Sequence, residues 1–273
     1  MNQPTPAAER ASRSSFYTGM RILPRAQREA MFEIYSFCRA VDDIADDPGP
    51  REPRRARLGR WRSDIDAAYR GAPPLQLAGL AEAVRTFDLQ REDFIAIIDG
   101  MEMDVVADIR APDSATLDLY CDRVACAVGR LSVRVFGMER QAGLALAHHL
   151  GRALQLTNIL RDLDEDASLG RLYLPREALR AAGIDATDPA TVLAHPAIGE
   201  VCASVVGLAK AEFAAADAIM KKSPRRVVRA PRIMGEAYWL ILQLLIARGF
   251  TPPRAAIRLP RARLLFIVLR NLV

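Results

Sequence analysis

The chain has 273 residues, a formal net charge of +5 and a sequence pI of about 9.3. Apolar residues make up 51% of it and aromatic residues only 6%, so it can bury a sizeable core, and its composition favours helices over sheets. The basic balance fits a nucleic acid, an anionic membrane surface or a polyanionic substrate as partner, and does not choose among them.

Cysteine and histidine usage argues against two kinds of site. The chain has three histidines and four cysteines with no C-x-x-C pair, so neither a zinc site nor a disulfide framework is predicted. The first 15 residues carry an acid and lack an apolar signal core. No apolar run approaches the roughly 20 residues that span a bilayer. We therefore expect a cytoplasmic protein, with at most peripheral contact at the inner membrane surface.

The predicted elements are helical from end to end. Residues 1–13 are expected to form a flexible tail and residues 14–273 a single domain. Helices are predicted at about 25–47, through Trp61 and Tyr69, and at 75–87, 93–109, 113–136, 141–166, 175–182, 198–222 and 233–248. A basic stretch at 221–232 is expected to separate the last two. Strand alternation is hardly visible, so the fold class is all-α.

The end of the first predicted helix carries an acidic stripe. Tyr35, Arg39, Asp42 and Asp46 stand at i, i+4, i+7 and i+11, on one helix face. A solvated acidic helix end is the simple alternative. It is disfavoured because the helix dipole opposes negative charge at a C-terminus and aspartate is a weak helix former. A divalent cation between the carboxylates would turn their repulsion into coordination.

A second stripe repeats this pattern more than a hundred residues later. Its residues Gln155, Asn158, Asp162 and Asp166 stand at i, i+3, i+7 and i+11, beside leucines and an isoleucine that can be buried. Two such stripes facing each other across a helical bundle could hold a magnesium cluster. Magnesium prefers carboxylates and substrate phosphate oxygens.

This pairing predicts diphosphate chemistry. A diphosphate is too negative to bind carboxylates directly, so magnesium would bridge the two. Arg39 and Arg161 could add donors in bidentate geometry. Neutralising the leaving diphosphate eases C–O ionisation, and the resulting carbocation needs an apolar cavity that is poor in water.

At these segments the chain resembles the squalene and phytoene synthase family of head-to-head prenyltransferases. The residues that carry the resemblance are YSFCRAVDDIAD at 35–46, QLTNILRDLDED at 155–166, SSFY at 14–17, YCDRVACAVG at 120–129 and GRLYLPRE at 170–177. The resemblance implies an isoprenoid synthase helical bundle with a central active-site cavity. Within the family, the chain is most similar to the bacterial hopanoid-pathway enzymes that join two farnesyl diphosphates into presqualene diphosphate.

The resemblance also implies roles for single residues, each carried over by position. The implied metal ligands are Asp42, Asp46, Asp162 and Asp166, with Asp43 and Asp47 as rivals in the first motif. The implied catalytic group comprises Arg39 and Arg161 beside the diphosphates and the cavity tyrosines Tyr35, Tyr120 and Tyr173. The implied substrate-binding residues are Ser14, Ser15 and Phe16 in a closing N-terminal segment, with Gln155 and Asn158 near the reacting carbons and metals.

Two other sets of polar residues receive simpler interpretations. Asp104 and Asp108 also stand at i and i+4, and we interpret them as a surface pair or as a support for the site. His148 and His149 are expected on a helix surface.

The second candidate substrate is a pair of geranylgeranyl diphosphates, as in a phytoene synthase. A catalytically silent assembly protein and a nucleic-acid binder rank lower, because the aspartates are intact and the arginines are dispersed. No nicotinamide cofactor is expected.

Overall fold

The computed structural model describes residues 20, 22–107 and 109–272. The predicted tail at 1–13, the candidate residues Ser14, Ser15 and Phe16, and Asp108 lie outside the described residues. The prediction of an all-α fold is confirmed. Within the described ranges, β-type pairing is limited to one isolated parallel bridge between Arg110 and Leu172.

The first half of the described chain contains five α-helices, followed by a π-helical turn at Asp122–Cys126 and a sixth helix. They are α1 (Arg25–Ala45), α2 (Arg51–Tyr69), α3 (Ala78–Phe87), α4 (Arg91–Val106), α5 (Ser114–Cys121) and α6 (Ala127–Val135). The second half, within the described residues, consists of α7 (Arg140–Arg161), α8 (Leu163–Ser168), α9 (Arg176–Ala181), α10 (Pro189–Ala194), α11 (Ile198–Lys222), α12 (Arg225–Arg248) and α13 (Arg261–Leu272).

Three predicted helix boundaries are corrected. The helix expected at 113–136 is interrupted by the π turn, after a start at which the Asp113 side chain accepts from Thr116 N (2.8 Å). The helix expected at 141–166 breaks at Asp162, whose φ of −101° and ψ of 16° leave the helical range. The basic stretch at 221–232 is not a separator, because α12 begins at Arg225 directly after Pro224 and tolerates Pro231 in its second turn.

Helix α7 is the centre of the bundle and packs against α6, α11 and α12. Its close approach to the π turn requires a glycine, because a Cβ on Gly151 would lie 2.9 Å from the Cys126 backbone. The four cysteines are free thiols, as predicted, and three of them are buried. None of the described helices has the length and apolarity needed to cross a bilayer.

Candidate active site

The first acidic stripe lies at the carboxyl end of α1. Arg39 donates to Asp42 (2.5 Å) and to Asp43 (2.7 Å), while Asp46 follows the last residue of the helix. Asp42 and Asp46 line a polar cavity of about 550 Å³, but Asp43 does not. Asp47 binds Arg57 (2.7 Å) and the Gly49 amide instead. This geometry favours Asp42 and Asp46 over their rivals as the ligand pair.

The second stripe lines the same cavity from the end of α7 and from α8. The break at Asp162 leaves the stripe intact, because the Asp166 amide still donates to Asp162 O (2.8 Å). Arg161 binds Asp162 in a bidentate pair (2.8 and 2.7 Å). Gln155 and Asn158 line the cavity beside them. The bundle therefore brings both predicted stripes together.

Two aspartates of the stripes have a raised pKa. Burial and the neighbouring Asp46 raise the pKa of Asp42 to about 6. Burial and the neighbouring Asp162 raise the pKa of Asp166 to about 7. Both shifts mean that the folded protein disfavours the carboxylate charge when it holds no cation. A cation that bound between the stripes would relieve this electrostatic cost and would therefore be bound more tightly.

The residues fit a divalent metal in a further respect. Asn158 Oδ1 is buried and accepts no hydrogen bond within the described structure, although a buried acceptor without a donor costs free energy. Carboxylate and amide oxygens are the ligand set that magnesium takes. Another group with ligand-type atoms, formed by His148, His149 and Glu212, lies between α7 and α11. Its Glu212 already binds His149 (2.6 Å) and Arg152 (2.7 Å), which supports a structural role.

The cavity wall contains the partly buried carboxylate of Asp104, for which the sequence left two interpretations, a surface residue or a support for the site. Asp104 accepts from the hydroxyls of Tyr120 (3.0 Å) and Tyr173 (2.6 Å), whose rings stack with centroids 4.8 Å apart. Burial raises the pKa of Asp104 to about 6 and raises the pKa of both tyrosines well above the usual value. The two phenols therefore stay protonated and direct their protons to Asp104.

The segment before α9 contributes a side chain that was not predicted in the site. It is fixed to the loop after α4 by Leu172 N donating to Ile109 O and by Ala111 N donating to Leu172 O, both at 2.9 Å. Arg171 then donates to Asp46 Oδ1 (2.8 Å) and to Ala45 O (2.7 Å). The segment GRLYLPRE at 170–177, which carries part of the family resemblance, contains Arg171 two residues before Tyr173. Its position next to a predicted cavity tyrosine could have indicated a role in the site.

An apolar cavity adjoins the polar one. It has a volume of about 240 Å³, and it shares Cys38, Val124, Val128, Gln155 and Asn158 with the polar cavity. Tyr35 lines this apolar cavity and not the polar one. The polar cavity is lined by Tyr120 and Tyr173, which were predicted as cavity tyrosines, and by Arg39 and Arg161, which were predicted beside the diphosphates.

Comparison with known proteins identifies the family. The family model for squalene/phytoene synthase matches residues 9–263. The presqualene diphosphate synthase of Rhodopseudomonas palustris is 66% identical, over 98% of this chain and 96% of its own length. The corresponding enzyme of Zymomonas mobilis is 54% identical, over 95% and 89%. The phytoene synthase of Thermus thermophilus is 34% identical, over 75% and 69%.

Solved structures agree with this result. A dehydrosqualene synthase in complex with ligand superposes with a TM-score of 0.83 at 22% identity, covering 97% of this chain and 93% of its own. The squalene synthase HpnC from Alicyclobacillus acidocaldarius superposes with a TM-score of 0.80 at 26% identity, covering 90% and 94%. On this evidence, the chain belongs to the squalene/phytoene synthase family.

Proposed function

We propose that the chain is a magnesium-dependent prenyltransferase that condenses two farnesyl diphosphates, head to head, into presqualene diphosphate. The observation that carries the proposal is the convergence of Asp42, Asp46, Asp162 and Asp166 on one cavity that shares wall residues with an apolar one. Relatives that carry the name presqualene diphosphate synthase support the choice of product over that of phytoene synthases.

The polar cavity is suited to binding diphosphates. Magnesium held by the two stripes would neutralise the leaving group and thereby lower the barrier to C–O ionisation. Arg39, Arg161 and Arg171 line the same cavity. Their guanidinium groups are permanently charged and reach phosphate oxygens in bidentate geometry. Each is now paired with a site aspartate, so these pairs must loosen or be shared when a diphosphate binds.

The apolar cavity is suited to an isoprenoid tail and to a carbocation. Its wall includes residues from α1 and α7 and the residue that follows α6, among them Ile34, Phe136, Leu146, Leu150 and Leu154. Such a wall offers few hydroxyl groups that could capture a cation, and it excludes water. Because Tyr35 lines this wall, its ring would lie beside a bound tail rather than beside a metal.

The reaction balances without a redox cofactor. The C–O bond of one farnesyl diphosphate breaks, and diphosphate leaves with the electron pair. The 2,3-double bond of the second substrate attacks the allylic cation, and loss of a proton then closes the cyclopropane. The products are presqualene diphosphate, diphosphate and one proton. Because Tyr120 and Tyr173 stay protonated against Asp104, the released diphosphate is the stronger base available.

Product identification tests this proposal. Purified protein is incubated with farnesyl diphosphate and magnesium, with and without NADPH. We expect a thirty-carbon diphosphate as the major product in both reactions. Squalene formed in proportion to added NADPH would make the chain a complete squalene synthase. Phytoene from geranylgeranyl diphosphate, with farnesyl diphosphate left unused, would assign it the longer substrate.

We also propose peripheral docking on anionic membranes through α13. Its exposed leucines Leu265 (59% exposed) and Leu269 (53%) lie on one face with Phe266, and arginines flank them. This pattern fits an amphipathic helix in the lipid interface. Arg254, which precedes α13 in the chain, takes no part because its side chain is buried against Asp164 (2.6 Å).

Co-sedimentation with anionic vesicles tests the docking. The double variant Leu265→Ser/Leu269→Ser should lose binding at low salt, because exposed apolar area is what inserts. The matched control is Leu75→Ser, since Leu75 is also exposed (91%) but lies far from α13 in the chain. Equal binding by the double variant and the control would refute docking through α13.

A further inference from the structure

The outer side of the bundle carries a groove that the proposed reaction does not use. It lies between α11, α12 and α13 and has a volume of about 600 Å³, within the range of about 300–1,000 Å³ that is usual for small-molecule sites. None of the residues that line it lines the polar cavity. Its apolar wall is formed by Leu150, Phe213, Met220, Trp239, Leu240, Phe266 and Ile267.

The rim of the groove has an excess of positive charge. Lys210, Arg232 and Arg263 line it, and none of them has a carboxylate partner among the residues that the structure describes. The two acids of the rim are already neutralised, because Asp217 binds Lys221 (2.6 Å) and Glu236 binds Arg270 (2.7 Å). The free cations therefore favour an anionic ligand.

One of these cations is also incompletely hydrogen-bonded. Arg232 donates through Nη2 to Met220 O (3.0 Å), but its Nε is buried and has no partner in the described structure. A buried donor left unpaired costs free energy, which a ligand oxygen would recover. An anionic oxygen at this edge of the groove would bind through a charge-assisted hydrogen bond, which is stronger than a neutral one.

The wall of the groove offers aromatic surface to a tail. Trp239 is 41% exposed and stands edge-on to Phe213, with ring centroids 5.5 Å apart. Phe266 from α13 is 64% exposed and lines the same groove. Large apolar side chains that stay exposed next to each other mark a binding surface. The groove therefore offers a positively charged rim to an anionic head and an apolar wall to a tail, which suits an anionic amphiphile.

From this combination we propose that the groove is a second binding site for an isoprenyl diphosphate, and that it needs no metal. The identity of the amphiphile rests on the proposed function. The groove supplies cations directly, whereas the active site supplies aspartates that require a metal. Leu150 lines both the groove and the apolar cavity, and a Cβ on Gly235 would lie 3.4 Å from Leu150 Cδ1. One layer of side chains thus separates a ligand in the groove from the reacting tails.

Tryptophan fluorescence tests the proposal directly, because the chain has two tryptophans and one of them lines the groove. The variant Trp61→Phe leaves Trp239 as the sole reporter. Titration is carried out in EDTA, where metal-dependent binding at the aspartates is absent. Farnesyl diphosphate should shift the Trp239 emission to shorter wavelength with saturation, and should do so more strongly than inorganic diphosphate or farnesol alone. Equilibrium dialysis of the unsubstituted protein in EDTA should give the same dissociation constant.

Substitution of the exposed cations provides the matched comparison. Lys210→Gln/Arg263→Gln should weaken binding at least about tenfold, because each charge-assisted contact contributes that order of affinity. The control Lys222→Gln/Arg226→Gln removes two exposed cations from the same region outside the groove, and it should bind like the parent.

Three outcomes would overturn the proposal. They are an absent shift with farnesyl diphosphate, an equal loss in the control pair, and a shift produced only by anionic phospholipid vesicles. The last outcome would assign the groove to the membrane. Condensation activity with magnesium, measured in the same preparations, keeps the two proposals separate. Intact condensation without groove binding refutes the groove alone, and groove binding without condensation refutes the proposed function alone.

Discussion

Replacing Asp166 by asparagine should stabilise the metal-free protein although it removes a proposed metal ligand. The pKa of Asp166 is raised from 3.8 to about 7, first by burial and then by Asp162. A group with a raised folded-state pKa contributes stability that is complete below its unfolded pKa and is lost as pH rises through the folded pKa. Asp166 therefore destabilises the fold increasingly between about pH 4 and pH 7.

The magnitude follows from the pKa shift. About three pKa units correspond to about 4 kcal/mol, and partial solvent exposure reduces this to about 1–2 kcal/mol. For a chain of this size, about 1–2 kcal/mol raises the melting temperature by roughly 2–6 °C. Asparagine has the same shape without the charge. In the described structure the hydrogen bonds of Asp166 are made by its backbone, so no side-chain bond is lost.

Thermal unfolding in EDTA measures the effect. Asp166→Asn should melt above the unsubstituted protein at pH 8, and the difference should vanish near pH 4. At pH 8, added magnesium should instead give the unsubstituted protein the higher melting temperature. A ligand at 100 times its dissociation constant adds about 2.7 kcal/mol to the free energy of unfolding, and only in a protein that binds it. The control Asp185→Asn changes an exposed aspartate outside the cavity. A lower melting temperature for Asp166→Asn in EDTA at pH 8, or a difference that does not depend on pH, would refute the reasoning.

Two further expectations concern activity. Alanine at any one of the four stripe aspartates, Asp42, Asp46, Asp162 and Asp166, should lower turnover at least about a hundredfold while the circular dichroism spectrum keeps its helical form. A variant with full turnover would remove its residue from the site. Asp104→Asn should lower turnover about tenfold or more, because the hydrogen bonds that orient both phenols are weakened. Adding Tyr173→Phe to this variant should lower turnover little further. Additive losses would show that Asp104 acts independently of Tyr173.

The sequence predicts the two aspartate stripes well because they depend on local geometry. Residues four apart on a helix share a face in any fold, so Asp42 with Asp46 and Asp162 with Asp166 were recognisable before the structure. The break at Asp162 did not matter, since the backbone continues the i to i+4 pattern through it. The all-α class follows equally from the absence of strand alternation.

Contacts between distant segments were not predictable in the same way. Asp104 is 69 residues from Tyr173, and Arg171 is 125 residues from Asp46. Both contacts depend on the pairing of the loop after α4 with the segment before α9, which has no periodic signature. Tyr35 shows a related limit. It shares the stripe of Asp42, but seven residues of helix place it about 10 Å away along the axis, in the apolar cavity.

A crystal structure with manganese and an unreactive thio-analogue of farnesyl diphosphate tests the central claim most directly. Manganese takes the oxygen ligands that suit magnesium, and its anomalous scattering locates each ion independently of the protein model. The account predicts anomalous peaks between Asp42 and Asp46 on one side and Asp162 and Asp166 on the other, each bridging to a diphosphate oxygen. Anomalous density only beside His149 and Glu212, or a diphosphate bound without metal between the stripes, would contradict it.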